Sequence, residues 1–265
     1  MMIKHIQTII DKEWAEVFKN RMVLFTIIFM PIIFTILPLV MLYVMGEAVG
    51  DMNGGAADVP QAFLATCGDL SGGECMQIYM VNEFLILFML IPVIIPVTIA
   101  AYSIVGEKTT HTLEPLLATP ISTVELLAGK SLAAAIPAIL VSWLAFGIFL
   151  LALPLIGVSQ GVRAYIGGPI WLLGVLVAGP LMAVVSVNFA LYISSRVNDP
   201  RVAEQISMVI MVPILGLLFA QLAGLIVISV GVMLIIILLL ALIDVGMIYL
   251  GVRIFQRETI LTRWK

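Results

Sequence analysis

Charge is scarce in this sequence. Only 11% of its 265 residues are Asp, Glu, Lys or Arg, against about 25% in soluble domains. A soluble fold of this length covers its surface with polar and charged groups, so the shortage excludes a soluble enzyme and a nucleic-acid-binding domain. Disorder is excluded by the matching excess, since 62% of the chain is hydrophobic. Histidine and cysteine are also rare, two of each. His5 and His111 both lie in polar segments far from the cysteines, so no metal site is expected. An intramembrane catalytic centre would need clustered His, Asp, Glu or a Ser–Lys pair at membrane depth, and none is present. What remains is a polytopic membrane protein without chemistry of its own.

A membrane helix needs about 20 mainly apolar residues. Six such runs occur, at 22–45, 84–105, 131–156, 169–194, 206–223 and 230–252. The last two share one apolar stretch. As a single helix it would be about 65 Å long, twice the hydrocarbon thickness, so it must turn, and Gln221, Gly224, Ser229 and Gly231 mark the place. With both termini cytoplasmic, every one of the 13 basic residues except Arg163 falls inside, as the positive-inside rule requires. The outside loop 46–83 then holds no Lys or Arg but carries Glu47, Asp51, Asp58, Asp69, Glu74 and Glu83. An uncleaved first span is expected, because the apolar run is too long for a signal peptide.

Residues 1–21 read as a separate helix. Ile3, Ile6, Ile10, Trp14 and Val17 form one stripe at helical spacing, opposite Lys4, Asp11, Lys12, Glu16 and Lys19. It suits the cytoplasmic membrane interface with Trp14 as anchor, or a place against other protein. Cys67 and Cys75 share the outside loop, where they are either a disulfide or two free thiols. Gly129-Lys130-Ser131 imitates the end of a phosphate-binding loop, but Val124 stands where that loop needs glycine. Leu70 to Glu74 reads L-S-G-G-E, the signature of cassette ATPases, yet it lies outside and reads as a glycine-rich turn.

Within the spans, Asp244 is the one carboxylate well inside the hydrocarbon, roughly 13 Å from Arg253 along a helix. It is either a cation or proton site on a transport path or a hydrogen-bonded packing residue. Asn188 and Tyr192 share a helix face and are candidates for the same path or for helix–helix contacts. Pro31, Pro38, Pro92, Pro96, Pro137, Pro180 and Pro213 should kink their spans, and the second most of all.

The richest segment is the inside loop 106–130, between spans 2 and 3. Thr112 caps a short helix, Pro115 sits in its first turn, and Leu113, Leu116 and Leu117 share a face. Pro120 stops it. Ser122 and Glu125 then form a capping box that starts the third span. The alternative is a plain turn on lipid headgroups. Gly106, Glu107, Lys108, Thr112, Leu113, Glu114, Leu116, Leu117, Thr119, Pro120, Ser122, Glu125, Gly129 and Lys130 together resemble the cytoplasmic loop of ABC-2 permeases, the membrane subunits of certain ATP-binding-cassette exporters. His111 departs from the family's glycine. Lys12-Glu13, Lys19-Asn20-Arg21 and Pro31 look like the family's opening, and the small sodium-exporter-like permeases are the most similar group.

The resemblance implies an all-α membrane protein of six spans with an N-terminal interfacial helix and a cytoplasmic coupling helix near 113–118. It implies a second permease unit, as homodimer or heterodimer, and two soluble ATPase subunits that bind the ATP and magnesium, leaving this chain without a cofactor. Glu107, Lys108, Leu113, Glu114, Leu116, Leu117, Pro120 and Glu125 would form the ATPase-coupling surface. A small separate permease implies a bacterial or archaeal plasma membrane. An ion-coupled transporter working through Asp244, or a non-transporting assembly factor, are the alternatives.

Overall fold

A computed structural model describes residues 2–49, 63, 71–109 and 121–254 of the chain. Every element among the described residues is helical. Helix α1 is Met2–Val17, α2 Arg21–Val49, α3 Gly72–Phe88, α4 Ile91–Thr109 and α5 Thr123–Ala152. Next come α6 (Gln160–Ile166), α7 (Pro169–Leu173) and, after a π-helical turn at Gly174–Ala178, α8 (Gly179–Arg196). The remainder is α9 (Pro200–Ser207), a 3₁₀ turn at Met208–Met211, α10 (Val212–Leu222) and α11 (Val230–Ile254). Six stretches are long and apolar enough to cross a membrane: Val23–Gly46, Gly72–Glu107, Val124–Ala152, Gln160–Arg196, Pro200–Leu222 and Val230–Arg253.

Span 2 is the axis of the bundle. It is 94% buried over its most apolar stretch, whereas spans 1, 5 and 6 are 28%, 17% and 11% buried. Helix α4 packs against α8, α5 and α9, and α3 against α2 and α10. Phe88 of α3 meets Phe146 and Phe149 of α5 and Trp171 of α7 in one aromatic cluster. The peripheral spans turn large apolar side chains outward, including Phe25, Ile36, Val40, Phe219, Leu238 and Leu242, as lipid contact requires.

The prolines explain the breaks. Span 2 is interrupted at Met89 and Leu90, just before Pro92, and resumes as α4. Pro96 leaves the Pro92 carbonyl without its helical donor, and Ser186 Oγ of α8 lies 3.5 Å from that oxygen. The π-helical turn ends two residues before Pro180, and Pro213 sits in the first turn of α10 after the 3₁₀ turn. Between the last two spans the chain reverses at Gly224, whose φ of 68° favours glycine. Its N–H bonds the Gln221 carbonyl and that of Leu225 bonds Ala220, so the turn falls where the sequence places it.

Several sequence expectations are corrected. The second span begins at Gly72, not at the apolar run from Phe84, so residues 72–83 are helix rather than loop. The segment read as a glycine-rich turn is a helix start. Ser71 accepts from Glu74 N–H, and the Glu74 carboxylate accepts from Ser71 N–H, a complete capping box. Glu83 consequently lies inside a span and is buried, so Asp244 is not alone there. The fourth and fifth spans also start earlier, at Gln160 and Pro200. Cys75 is disulfide-bonded, and Cys67 lies outside the described residues.

Candidate functional site

Helix α1 lies along the start of α5, and contacts recur at about one-turn intervals along the pair. His5 Nδ1 is 3.1 Å from Glu125 Oε1. Ile9 packs onto Gly129, where an added Cβ would fall 2.8 Å from Ile9 Cβ. Lys130 Nζ donates to Glu13 Oε1 at 2.7 Å. The Trp14 indole N–H donates to the Ala133 carbonyl at 2.9 Å. That last carbonyl is free because Pro137, four residues on, has no N–H to offer it. A proline-vacated carbonyl thus draws Trp14 onto α5, the place against protein that the sequence left open. The Ser122–Glu125 capping box that starts α5 is present, with Ser122 N–H donating to Glu125 Oε2 at 2.8 Å.

The centre of the contact is a buried charge network that also takes in the end of span 2. Lys130, Glu13 and Glu107 are each 3% exposed. Lys130 Nζ lies 3.0 Å from Glu107 Oε2 and donates to Ser103 Oγ at 2.7 Å. Lys12 donates to Glu107 Oε1 and lies 3.6 Å from Glu16. Burial alone would raise the Glu13 pKa, but the Lys130 charge and hydrogen bond outweigh it and hold the carboxyl below its ordinary value. Burial likewise opposes charge on Lys12, yet its bond to Glu107 raises its pKa. Two cations and two carboxylates thus bind three elements: α1, the end of α4 and the start of α5.

The predicted site residues fall into three groups. Leu113, Glu114, Leu116, Leu117 and Pro120 lie outside the described residues, as does the side chain of Lys108. Glu107 and Glu125 are described, and both turn inward to α1 rather than outward to a partner surface. Spacing in a loop could not tell which side of the helix end each would take. In the spans, Ser131 and Asn188 Oδ1 lie 3.3 Å apart, and Asn188 Nδ2 donates to the Val184 carbonyl, which ties α5 to α8. Tyr192 carries the Arg196 guanidinium 5.5 Å from its ring centroid. Asp244 is buried on the inward stripe of α11, and neither carboxylate oxygen has a hydrogen-bond partner, so it joins neither Asn188 nor Tyr192.

Sequence reasoning missed Glu13, Ser103 and the role of Lys130. A signal was available: Glu13 stands on the apolar stripe with Ile6, Ile10 and Val17, where an unpaired charge would be costly. Gly129→Val puts a branched side chain against Ile9 at the tightest point of the contact. It should destabilise the α1–α5 pairing by about 1–3 kcal/mol. Hydrogen exchange of the α1 amides should rise while the α8 amides stay protected; equal exchange in α1 would contradict the close packing.

Over residues 7–259 the chain matches the family described as ABC-2 family transporter protein. Among curated proteins none matches it.

Proposed function

Since this chain belongs to the ABC-2 family of transporter proteins, we propose that it is the permease subunit of an exporter whose ATP is hydrolysed by separate soluble subunits. The family and the six apolar spans make it a multi-pass membrane transport component. The finer assignment is that the termini and the 106–130 loop face the cytoplasm. The lopsided distribution of Lys and Arg supports this orientation.

The observation that carries the reading is the charge network. Residues 110–120 lie in sequence between Glu107 and Glu125, and both of these are fastened to α1. An ATPase that moved this segment would move α1, span 2 and span 3 together, because separating them would strand buried charges. Span 2 is the packed axis of the bundle, so the displacement would reach the transport path. The sparsely buried spans 1, 5 and 6 leave faces for lipid and for a second permease unit.

The test is purification of the tagged chain in mild detergent after co-expression with candidate soluble ATPases. An ATPase should co-purify with the wild type and be lost from Glu114→Arg and Leu117→Arg. No co-purifying ATPase with any candidate would defeat the reading. The unpaired buried carboxylate of Asp244 would then favour ion-coupled transport, the second reading.

A further inference from the structure

In the half of the bundle away from α1, a second polar cluster joins α3 to α10. Glu83 is 7% exposed, its neighbour Asn82 is fully buried, and Gln221 of α10 is 2% exposed. Gln221 lies beside Glu83. Yet neither Glu83 oxygen and neither Gln221 amide atom completes a hydrogen bond of normal geometry, and Asn82 Nδ2 is also without an acceptor. Asn82 Oδ1 accepts from the Tyr165 hydroxyl at 3.3 Å. Buried orphan groups are rare, and this contact concentrates several of them.

The charges around Glu83 explain what is missing. Helix α3 carries Glu74 and Tyr79 besides Glu83, and α10 carries no titratable residue. Helix α6 offers Tyr165 and an exposed Arg163. Helix α2 brings Tyr43 and Glu47 to this end and Arg21 to the other, while Tyr102, Glu107 and Lys108 are in the far half of α4. Among the described residues no ion pair includes Glu83. An ionised carboxylate here would be a buried charge without a counter-ion, a penalty of several kcal/mol. A protonated carboxyl has one donor and one acceptor, which match the carbonyl and N–H of a primary amide. Glu83 and Gln221 can then close a ring of two hydrogen bonds that satisfies both.

We propose that Glu83 is a proton-binding site, neutral in the folded protein and paired with Gln221 across α3 and α10. Span 2 is thereby tied to span 5 by two hydrogen bonds, and the one donated by the carboxyl lasts only while the proton is held. The inference does not depend on the ATPase-driven reading, and its test needs no partner.

The full-length chain in detergent is treated near neutral pH with dicyclohexylcarbodiimide, which adds to protonated carboxyl groups in apolar surroundings. Peptide mass spectrometry should find Glu83 modified, with no protection by sodium or potassium, and Glu83→Gln should lack the adduct. Infrared spectra should show a protonated-carboxyl band that is lost in Glu83→Gln and moves to higher frequency in Gln221→Leu, as its hydrogen bonds are removed. Glu83→Gln should fold normally, because an amide completes the same ring. An unmodified Glu83, or carboxylate bands in its place, would overturn the proposal. Protection by sodium or potassium would overturn it too, by putting an alkali cation where the proton is assigned. A band unmoved in Gln221→Leu would refute the pairing.

Discussion

Lys130→Met should destabilise the protein by about 3–5 kcal/mol, the scale of removing one partner from a buried ion network. The side chain keeps similar length, so the lost term is chiefly charge. Glu13 stays buried without its 2.7 Å cation, while Glu107 loses the one at 3.0 Å and keeps Lys12. Lys12 compensates only in part, since its ammonium is 3.9 Å from Glu13 and its side chain is 37% exposed. Thermal unfolding in detergent reads the loss. The triple variant that adds Glu13→Gln and Glu107→Gln should recover most of it, because a neutral buried site is often as stable as a charged one.

The pH dependence separates this cause from simple loss of packing. In the wild type the Glu13 pKa is lowered, so its contribution is present above the unfolded pKa, about 4.3 for Glu. It is lost as pH falls through the folded value. Without Lys130, burial dominates and protonation of Glu13 removes an uncompensated charge. Lys130→Met should therefore gain stability on mild acidification, above about pH 4.3, where the wild-type Glu13 contribution is unchanged; the wild type loses that contribution only at lower pH. A variant that gains no stability on mild acidification would show that Lys130 acts by packing alone.

Trp171→Ala should be of similar size, about 3–5 kcal/mol, through a cavity at the bundle's centre. Trp171 has no exposed surface. It stacks on Phe146 at 5.8 Å and on Phe149 at 5.6 Å, and meets Phe88 edge-on at 5.9 Å. In a membrane, apolar burial away from water is not the driving term, so tight packing carries the weight. Aromatic pairs add about 0.5–1.5 kcal/mol each beyond area. The three pairs join spans 2, 3 and 4, and a large void would loosen them together. Trp171→Phe keeps a ring in the stack and should retain the larger part of the stability. Equal unfolding midpoints for the alanine and phenylalanine variants would mean that the stack contributes little.

The six spans were readable because each is a property of consecutive residues. A run of apolar side chains has one stable environment at this length, whatever else the chain does. The turn at Gly224 and the capping box at Ser122 and Glu125 were readable for the same reason, since a cap needs residues only three apart. Hydropathy failed where a helix starts in polar sequence. The Ser71–Glu74 box begins span 2 well before its apolar run and carries Glu83 into the bundle.

Lys130 and Glu13 are 117 positions apart, and nothing local in the chain pairs them. Their meeting depends on how α1 and α5 are rotated about their axes. Ile9 seated on Gly129 and Trp14 on the Ala133 carbonyl set that rotation. The same holds for Glu83 and Gln221, brought together only by the packing of α3 on α10. Composition and periodicity alone determined a six-span helical membrane protein. Which of the few charges are buried, and against what, was decided by tertiary structure, because a counter-ion stabilises through distance in space rather than position along the chain.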